Sequence, residues 1–242
     1  MGEASWHNLI TAIHCSGKQA VIAITGGGSG AIGRLLEVPG GSRSVIEALV
    51  PYASSALTDL LGGTPDQYCS EPTARAMAMA AWMRARKLSP TDPLKLVGIG
   101  VTASLVSDVP KRGDHRIHVA WQTATQTCSL TLTLTKGERT REHEERIAAD
   151  MVLIVLAEAC RVDASIGYSE LQKQLESAEQ IERLSQVADP AWKKLLLGEA
   201  HCVLCGENKQ PKIVFPGAFN PLHQGHREMA RIAVERLGSE LC

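Results

Sequence analysis

The chain has 242 residues, 44% of them hydrophobic, and a formal net charge of −1 at pH 7. A chain of this length can form one large domain or two small ones with a packed core. The near-zero charge argues against a nucleic-acid partner and against an anionic membrane surface, and no apolar run is long enough to cross a bilayer.

The first predicted elements are a helix, a buried strand and a second helix. Apolar residues recur at helical spacing over residues 6–13, which predicts an N-terminal amphipathic helix. Residues 20–24 are almost wholly apolar, as in a strand that is buried on both faces of a parallel or mixed sheet. Residues 31–36 predict the start of the second helix.

A glycine-rich loop, Thr25-Gly26-Gly27-Gly28-Ser29-Gly30, joins this strand to the second helix. Its glycines allow backbone angles that a Cβ forbids and let a ligand or another chain approach closely. Between a strand and a helix N terminus, such a loop directs N–H groups and the positive helix end at one point, which favours a phosphate or a carboxylate. The alternative is a tightly packed turn without a ligand.

Further turns, helices and strands follow in the middle of the chain. Residues 38–42 form a turn by composition, and residues 45–52 can be a helix or a strand. Ser70 caps a helix that runs to residue 87, with a proline in its first turn. Residues 94–101 predict another buried strand.

An antiparallel strand pair and two helices are predicted next. Apolar and polar residues alternate over residues 117–121 and again over residues 130–134, which predicts two half-buried strands. Residues 141–162 predict a long helix that is charged at its start. Helical spacing of apolar residues predicts an amphipathic helix over residues 171–184, which Asp189-Pro190 ends.

The cysteines and the N terminus indicate the compartment. Seven cysteines, an odd and scattered set, favour reduced thiols in a cytoplasmic protein over a disulfide framework. Residues 1–18 lack the pattern of a signal peptide. Cys202 and Cys205 form a single C-x-x-C pair, which has too few ligands for structural zinc. We expect no metal there and favour two buried residues on a short strand.

Two histidines in the tail fall at the start of a predicted helix. Residues 212–215 predict a short strand, and a glycine turn follows it. His223 and His226 come next, three residues apart, and helical sequence continues to Leu237. Histidines at this spacing share one face of a helix. At a helix N terminus they can stabilise phosphate oxygens and the charge of a departing pyrophosphate.

The tail resembles the opening of the HxGH nucleotidylyltransferases over Phe215-Pro216-Gly217-Ala218-Phe219-Asn220-Pro221-Leu222-His223-Gln224-Gly225-His226. The nearest groups are the nicotinate/nicotinamide-mononucleotide adenylyltransferases and the cytidylyltransferase-like enzymes. The resemblance implies catalytic roles for His223 and His226, ATP as nucleotidyl donor and Mg²⁺ as cofactor. It also implies nucleotide binding by Gly217, Phe219, Asn220 and Gly225. Those enzymes need a complete doubly wound, Rossmann-like sheet, so we expect residues 210–242 to be an incomplete N-terminal fragment of one.

Residues 1–163 resemble the C-terminal domain of the competence-damage-inducible (CinA-like) family. The resemblance rests on Thr25-Gly26-Gly27, residues 38–42, Val50-Pro51-Tyr52, residues 97–103 and Arg146. It implies a three-layer α/β/α domain with a mixed sheet, which residues 164–209 would join to the tail as a helical connector. It also implies a pocket formed by Thr25, Gly26, Gly27, Gly28, Ser29, Tyr52, Thr102 and Arg146.

The chain departs from the CinA-like family where the chemistry is expected. Active members deamidate nicotinamide mononucleotide, with a serine as the expected nucleophile and a lysine as the base. The resemblance places Ala23 and Leu57 at these two positions. Neither side chain can attack an amide or accept a proton. Thr25 or Ser29 could replace the nucleophile, but no partner base is evident nearby.

Three functions are compatible with the sequence. The first is a nucleotide-handling protein of pyridine-nucleotide metabolism, with a CinA-like domain joined to a truncated nucleotidyltransferase. Its small-molecule partners would be ATP and nicotinate or nicotinamide mononucleotide. The second is a catalytically degenerate module that binds a nucleotide or forms a homo-oligomer. The third is a nicotinamide-nucleotide amidase with a replaced nucleophile. None of the three requires a nucleic acid or a membrane.

Overall fold

A six-stranded mixed sheet lies at the centre of Met1–Ala200, which forms the first compact unit; His201–Cys242 forms the second. The computed structural model describes residues 2–109, 112–203 and 224–238. The strands are β1 Gln19–Thr25, β2 Val45–Leu49, β3 Leu96–Ser104, β4 His115–Gln122, β5 Gln126–Leu134 and β6 Ile181–Val187. The helices of the first unit are α1 Gly2–Cys15, α2 Gly30–Glu37, α3 Gly41–Ser44, α4 Ser54–Leu61, α5 Glu71–Leu88, α6 Arg141–Ala159, α7 Ser165–Gln172 and α8 Pro190–Leu197, with a 3₁₀ turn at Pro93–Lys95.

The sheet is parallel on one side and antiparallel on the other. Its strand order is β2-β1-β3-β4-β5-β6. β1 pairs in parallel with both β2 and β3, whereas β4, β5 and β6 continue the sheet in antiparallel pairs. β1 and β3 are buried along almost their whole length, as expected for strands that helices cover on both faces. The predicted three-layer α/β/α fold with a mixed sheet is confirmed.

Helices cover both faces of the sheet. α5 packs on β3, β4 and β1 on one face, and α6 packs on β4 and β3 on the other. α1, α2 and α7 pack in turn against α6. Residues 147–157 of α6 are therefore buried without interruption, because the helix lies between the sheet and an outer layer of helices.

Two glycines of β3 let α5 lie very close to the sheet. A Cβ on Gly98 would lie 2.1 Å from the carbonyl oxygen of Ala78, and a Cβ on Gly100 would lie 2.2 Å from that of Ala74. These oxygens belong to the backbone of α5, which cannot turn aside as the end of a side chain can. Glycine on the strand and alanine on the helix together make this close contact possible.

Most of the predicted elements are confirmed. α1, β1, α2, β3, β4, β5 and α6 lie where the sequence predicts a helix or a strand. Ser70 caps α5, since its Oγ accepts a hydrogen bond from the N–H of Thr73 at 3.3 Å. Residues 45–52, which could be a helix or a strand, contain β2.

The amphipathic helix predicted over residues 171–184 is wrong. α7 ends at Gln172, and β6 pairs with β5 from Ile181 to Val187. Asp189 starts a helix rather than ending one, because its carboxylate accepts a hydrogen bond from the N–H of Ala191 in α8. The segment predicted as a helical connector, residues 164–209, thus adds a strand to the sheet and belongs to the first unit as far as Ala200.

A buried ion pair fixes the chain ahead of β6. Arg139 donates from Nη1 and Nη2 to the two carboxylate oxygens of Glu179 at 2.7 and 2.6 Å, and both side chains are buried. The N–H groups of Thr135 and Glu176 donate to the same carboxylate. Burial alone would raise the pKa of Glu179, but these donors outweigh it and the pKa lies below its ordinary value. The carboxylate therefore remains ionised at neutral pH.

The described part of the second unit contains one helix, α9 Gln224–Leu237, whose apolar side chains include exposed Met229 and Leu237. Cys202 is exposed and lies in no strand, which corrects the expectation of a buried strand at this position. Cys205 and the strand predicted over residues 212–215 lie outside the described residues.

Across the described ranges, every helix is too short or too polar to cross a membrane.

Candidate functional site

The glycine loop between β1 and α2 is tightly packed at its start and exposed at its end. Gly26 has a φ of +78°, and a Cβ there would lie 1.9 Å from the carbonyl oxygen of Ala103 in β3. Residues 27–28 are buried, whereas residues 29–30 are exposed. The first half of the loop therefore needs glycine for close packing, and only the second half can meet a ligand.

A carboxylate from the chain itself lies at the N terminus of α2. Oε1 of Glu145, in α6, accepts hydrogen bonds from Oγ of Ser29 at 3.1 Å and from the N–H of Gly30 at 3.3 Å. Arg141, one turn earlier in α6, donates to the carbonyl oxygen of Gly26 at 3.0 Å. The anion at the positive end of α2 is thus a side chain. A ligand phosphate must displace this carboxylate or bind beside it.

A cavity of about 900 Å³ opens beside this carboxylate, and α1, α2, α6 and α7 contribute to its walls. Both Gly30 and Glu145 line it, so the exposed end of the glycine loop faces the cavity. Its volume lies within the range of about 300–1,000 Å³ that is typical of small-molecule sites.

The lining of the cavity is acidic. Its carboxylates outnumber its cations by six to three, and the rings of Trp6 and His7 complete its polar and aromatic surface. The six carboxylates belong to Glu3, Glu37, Glu142, Glu145, Asp150 and Glu170, and the three cations belong to Arg34, Arg146 and Lys173. Such a charge balance disfavours a polyanion and favours a ligand that carries some positive charge.

Arg34 and Asp150 form a fixed wall of the cavity. Nη1 of Arg34 donates to Oδ1 of Asp150 at 2.5 Å, and Nε2 of Gln174 donates to Oδ2 at 2.7 Å. The Arg34 guanidinium also lies 4.6 Å from the centroid of the Trp6 ring, a cation–π contact. Asp150 is almost fully buried, so these donors compensate a carboxylate that would otherwise be costly to bury.

Arg146 has the loosest contact among the three cations of the cavity. Its Nη2 lies 3.9 Å from Glu142, and its side chain is 65% exposed. Lys173, by comparison, lies 2.7 Å from Glu170. Arg146 can therefore turn toward a ligand without losing a strong ion pair.

The structure brings together only part of the predicted pocket. Arg146 lines the cavity that the end of the glycine loop faces, but Thr25, Thr102 and Tyr52 do not. Thr25 and Thr102 are buried neighbours in β1 and β3, and Thr102 donates to the carbonyl oxygen of Tyr68 at 2.7 Å. Tyr52 follows β2 and is exposed. The alternation of side chains along β1 explains why Thr25 lies away from the cavity. Residues 21, 23 and 25 share the face of the sheet that α5 covers, whereas the cavity lies on the face that α6 covers.

The two positions expected for a nucleophile and a base lie in the hydrophobic core. Ala23 is 0% exposed and Leu57 is 2% exposed. Both belong to one apolar cluster, which also contains Met77 and Trp82 of α5. These positions therefore supply packing and offer no atom that could attack an amide.

The tail motif is described only at its end. Gly217, Phe219, Asn220 and His223 lie outside the described residues. Gly225 and His226 lie in the first turn of α9, which begins at Gln224. The last residues of the motif therefore belong to a helix.

Three residues that build the cavity were not predicted from the sequence, namely Arg34, Glu145 and Asp150. The sequence contains one signal that could have identified Asp150. Asp150 is a lone carboxylate within the buried stretch 147–157 of α6, and a charge in such a position requires a partner. The partner itself could not be read from the sequence, since Arg34 is 116 residues away.

His115 and His118 are buried histidines that lie outside the cavity. Nδ1 of His115 lies 2.7 Å from Oε1 of Glu144, whose Oε2 accepts from the N–H of Val106 at 2.7 Å. This arrangement holds the loop after β3 against α6. His118 contacts Oγ1 of Thr131 at 2.9 Å, and burial lowers the pKa of its imidazole, which favours the neutral form.

Solved structures of competence-damage-inducible proteins share the fold. The protein CihA from Agrobacterium tumefaciens is 22% identical over 65% of this chain and 94% of its own, with a TM-score of 0.52. A CinA superfamily protein from Escherichia coli is 17% identical over 65% of this chain and 90% of its own, with a TM-score of 0.51. The competence damage-inducible protein A from Klebsiella pneumoniae is 16% identical over 63% of this chain and 95% of its own, with a TM-score of 0.51.

These likenesses show that the chain contains a domain with the CinA-like fold. Neither a protein-family model nor a curated protein sequence matches the chain.

Proposed function

We propose that the CinA-like domain of this chain binds a nucleotide and does not hydrolyse an amide. The observation that carries the proposal is the packing of Ala23 and Leu57 in one apolar cluster, at the positions where the resemblance expects a nucleophile and a base. The cavity beside the glycine loop, about 900 Å³ in volume, supplies a place for the ligand. It lies on the opposite side of the sheet from that cluster.

The charges of the cavity favour a mononucleotide whose base is cationic. Nicotinamide mononucleotide joins a positively charged pyridinium ring to a single phosphate. The surplus of carboxylates suits the ring, and Arg146, which is largely exposed, suits the phosphate. Nicotinate mononucleotide adds a carboxylate and fits less well, and ATP adds two further phosphates and fits least.

Arg146→Glu is expected to weaken the binding of nicotinamide mononucleotide by at least about tenfold, since a hydrogen bond to a charged group contributes roughly 1.5–3 kcal/mol. Isothermal titration calorimetry measures the affinity. Thermal unfolding gives a second readout, because a ligand of the folded state raises the melting temperature.

Arg116→Glu is the matched control for this experiment. Arg116 is likewise an exposed arginine that pairs with a carboxylate, but it does not line the cavity. We expect this variant to bind like the wild type. Equal affinity of the wild type and Arg146→Glu would place the ligand elsewhere, and a wild-type chain that binds no mononucleotide would contradict the proposal as a whole.

A second candidate function is nucleotidyl transfer by the tail. The helical conformation of Gly225 and His226 in α9 supports it. In this proposal the two histidines stabilise the α-phosphate and the departing pyrophosphate of ATP. Mg²⁺ is the expected cofactor. The described residues contain no group of three or more metal-ligating side chains, so we assign no residue to the ion.

Release of pyrophosphate from ATP by a chain extended past Cys242 tests the transferase function, with nicotinate or nicotinamide mononucleotide as acceptor and Mg²⁺ present. We expect His226→Ala to abolish the release, because the variant lacks a charge stabiliser of the leaving group. His201→Ala, which changes an exposed histidine of the same unit, is expected to leave it unchanged. An extended wild-type chain that releases no pyrophosphate with any acceptor would contradict the transferase proposal.

A further inference from the structure

The strand β6 forms one edge of the sheet and is strongly exposed. Among the described residues, only β5 pairs with it. Six of its seven residues are exposed, and Leu184 and Val187 are 60% and 71% exposed. The strand contains neither proline nor lysine, two residues that commonly keep an edge from pairing, and Arg183, one of its two charged residues, is neutralised by Glu158 of α6. Its outer edge therefore presents a row of backbone groups that can pair with another strand.

The opposite edge of the sheet is better protected. β2 is two residues shorter than β6, and all its residues are partly buried. Glu47 of β2 also forms an ion pair with Arg84 of α5 across this edge. The two edges thus differ, and β6 is the one that is open to a partner.

The sequence of β6 is complementary to itself in one antiparallel register. With Leu184 opposite Leu184 of a second copy, Ile181 faces Val187 at both ends of the strand. Glu182 then faces Gln186, and every apolar residue of the strand has an apolar residue opposite it. Pairs of this kind stabilise antiparallel strands.

This register also avoids repulsion between the two copies. Arg183 faces Ser185, so no residue faces a like charge. The Arg183 guanidinium already binds the Glu158 carboxylate of α6 at 2.7 Å within its own subunit. Like charges directly opposite each other would destabilise the pair, and this register contains none.

We propose that two copies of this chain associate through β6, in antiparallel register about a two-fold axis at Leu184. The two six-stranded sheets join into one continuous sheet of twelve strands. The interface is isologous, since each copy offers the same strand. The proposal rests on the edge strand alone and does not depend on the ligand or the activity of the chain.

The test uses sedimentation velocity of the full chain across a wide range of concentrations. We expect a dimer in the wild type. Leu184→Lys and Leu184→Glu are each expected to raise the dissociation constant by at least about tenfold, because the two-fold axis sets two like charges opposite each other. An equimolar mixture of the two variants is expected to dimerise again, because Lys then faces Glu.

Leu36→Lys is the matched control. Leu36 is 59% exposed, almost as much as Leu184, but it lies on α2, away from the strand edge. We expect this variant to dimerise like the wild type. The proposal is overturned by a monomeric wild type, by a dimer that Leu184→Lys leaves intact, or by a mixture of the two charged variants that remains monomeric.

Discussion

Gly100→Ala is expected to destabilise the first unit by about 4 kcal/mol, more than the ~1–3 kcal/mol that an extra methylene usually costs in a packed core. The added Cβ would lie 2.2 Å from the carbonyl oxygen of Ala74 and 2.4 Å from the backbone nitrogen of Ala78. Both atoms belong to α5, so relief requires the helix to move away from β3 and open the core. Urea unfolding followed by circular dichroism measures the loss.

Gly33→Ala is the control for this substitution. Gly33 is exposed on α2, and no atom lies within 4 Å of the Cβ that alanine would add. Alanine is the better helix former, so we expect a gain of about 0.5–1 kcal/mol in the free energy of unfolding. A loss smaller than about 1 kcal/mol in Gly100→Ala would contradict the close approach of α5 to β3.

Leu57→Lys, which introduces the residue that the CinA-like resemblance expects, should destabilise the first unit by several kcal/mol at pH 7. Leu57 is 2% exposed and packs in an apolar cluster with Met77 and Trp82. Burial disfavours the charged ammonium and lowers the pKa of the new lysine. The penalty is full below the lowered pKa of the folded state, and it shrinks as the pH rises from there toward about 10.4, the ordinary lysine value.

Leu57→Met separates this charge effect from a change of shape. Methionine has a similar volume, and such exchanges usually cost less than about 1.5 kcal/mol. The free energies of unfolding of the wild type and both variants are compared at pH 7 and pH 10. Wild-type stability of Leu57→Lys at pH 7 would show that position 57 is hydrated, and the reading of this cluster as structural packing would be wrong.

The pattern of buried strands and amphipathic helices predicted most of the fold, but it failed at β6. Leu171, Leu175, Ile181 and Leu184 have helical spacing, yet they belong to the end of α7, a turn and a strand. β6 is set by its pairing with β5, which lies about fifty residues earlier in the chain. The strand lacks strict alternation because its edge position leaves both faces partly in water, so local pattern could not reveal it.

The candidate site was predicted only in part, again because some of its contacts join residues that are far apart in the chain. The glycine loop, its place between β1 and α2, and Arg146 could be read from local sequence. The carboxylate at the end of the loop comes from Glu145, which is 116 residues from Ser29. The wall formed by Arg34 and Asp150 depends on a contact over the same distance. Side chains brought together by the packing of α2 against α6 have no local signature.

Release of ammonia from nicotinamide mononucleotide, measured together with thermal unfolding of the same sample, tests most directly whether the domain binds without hydrolysing. We predict that the nucleotide raises the melting temperature while ammonia stays at the level of a sample without protein. Ammonia above that level in the wild type, abolished by Thr25→Ala or Ser29→Ala, would contradict this prediction and show a working amidase with a replaced nucleophile.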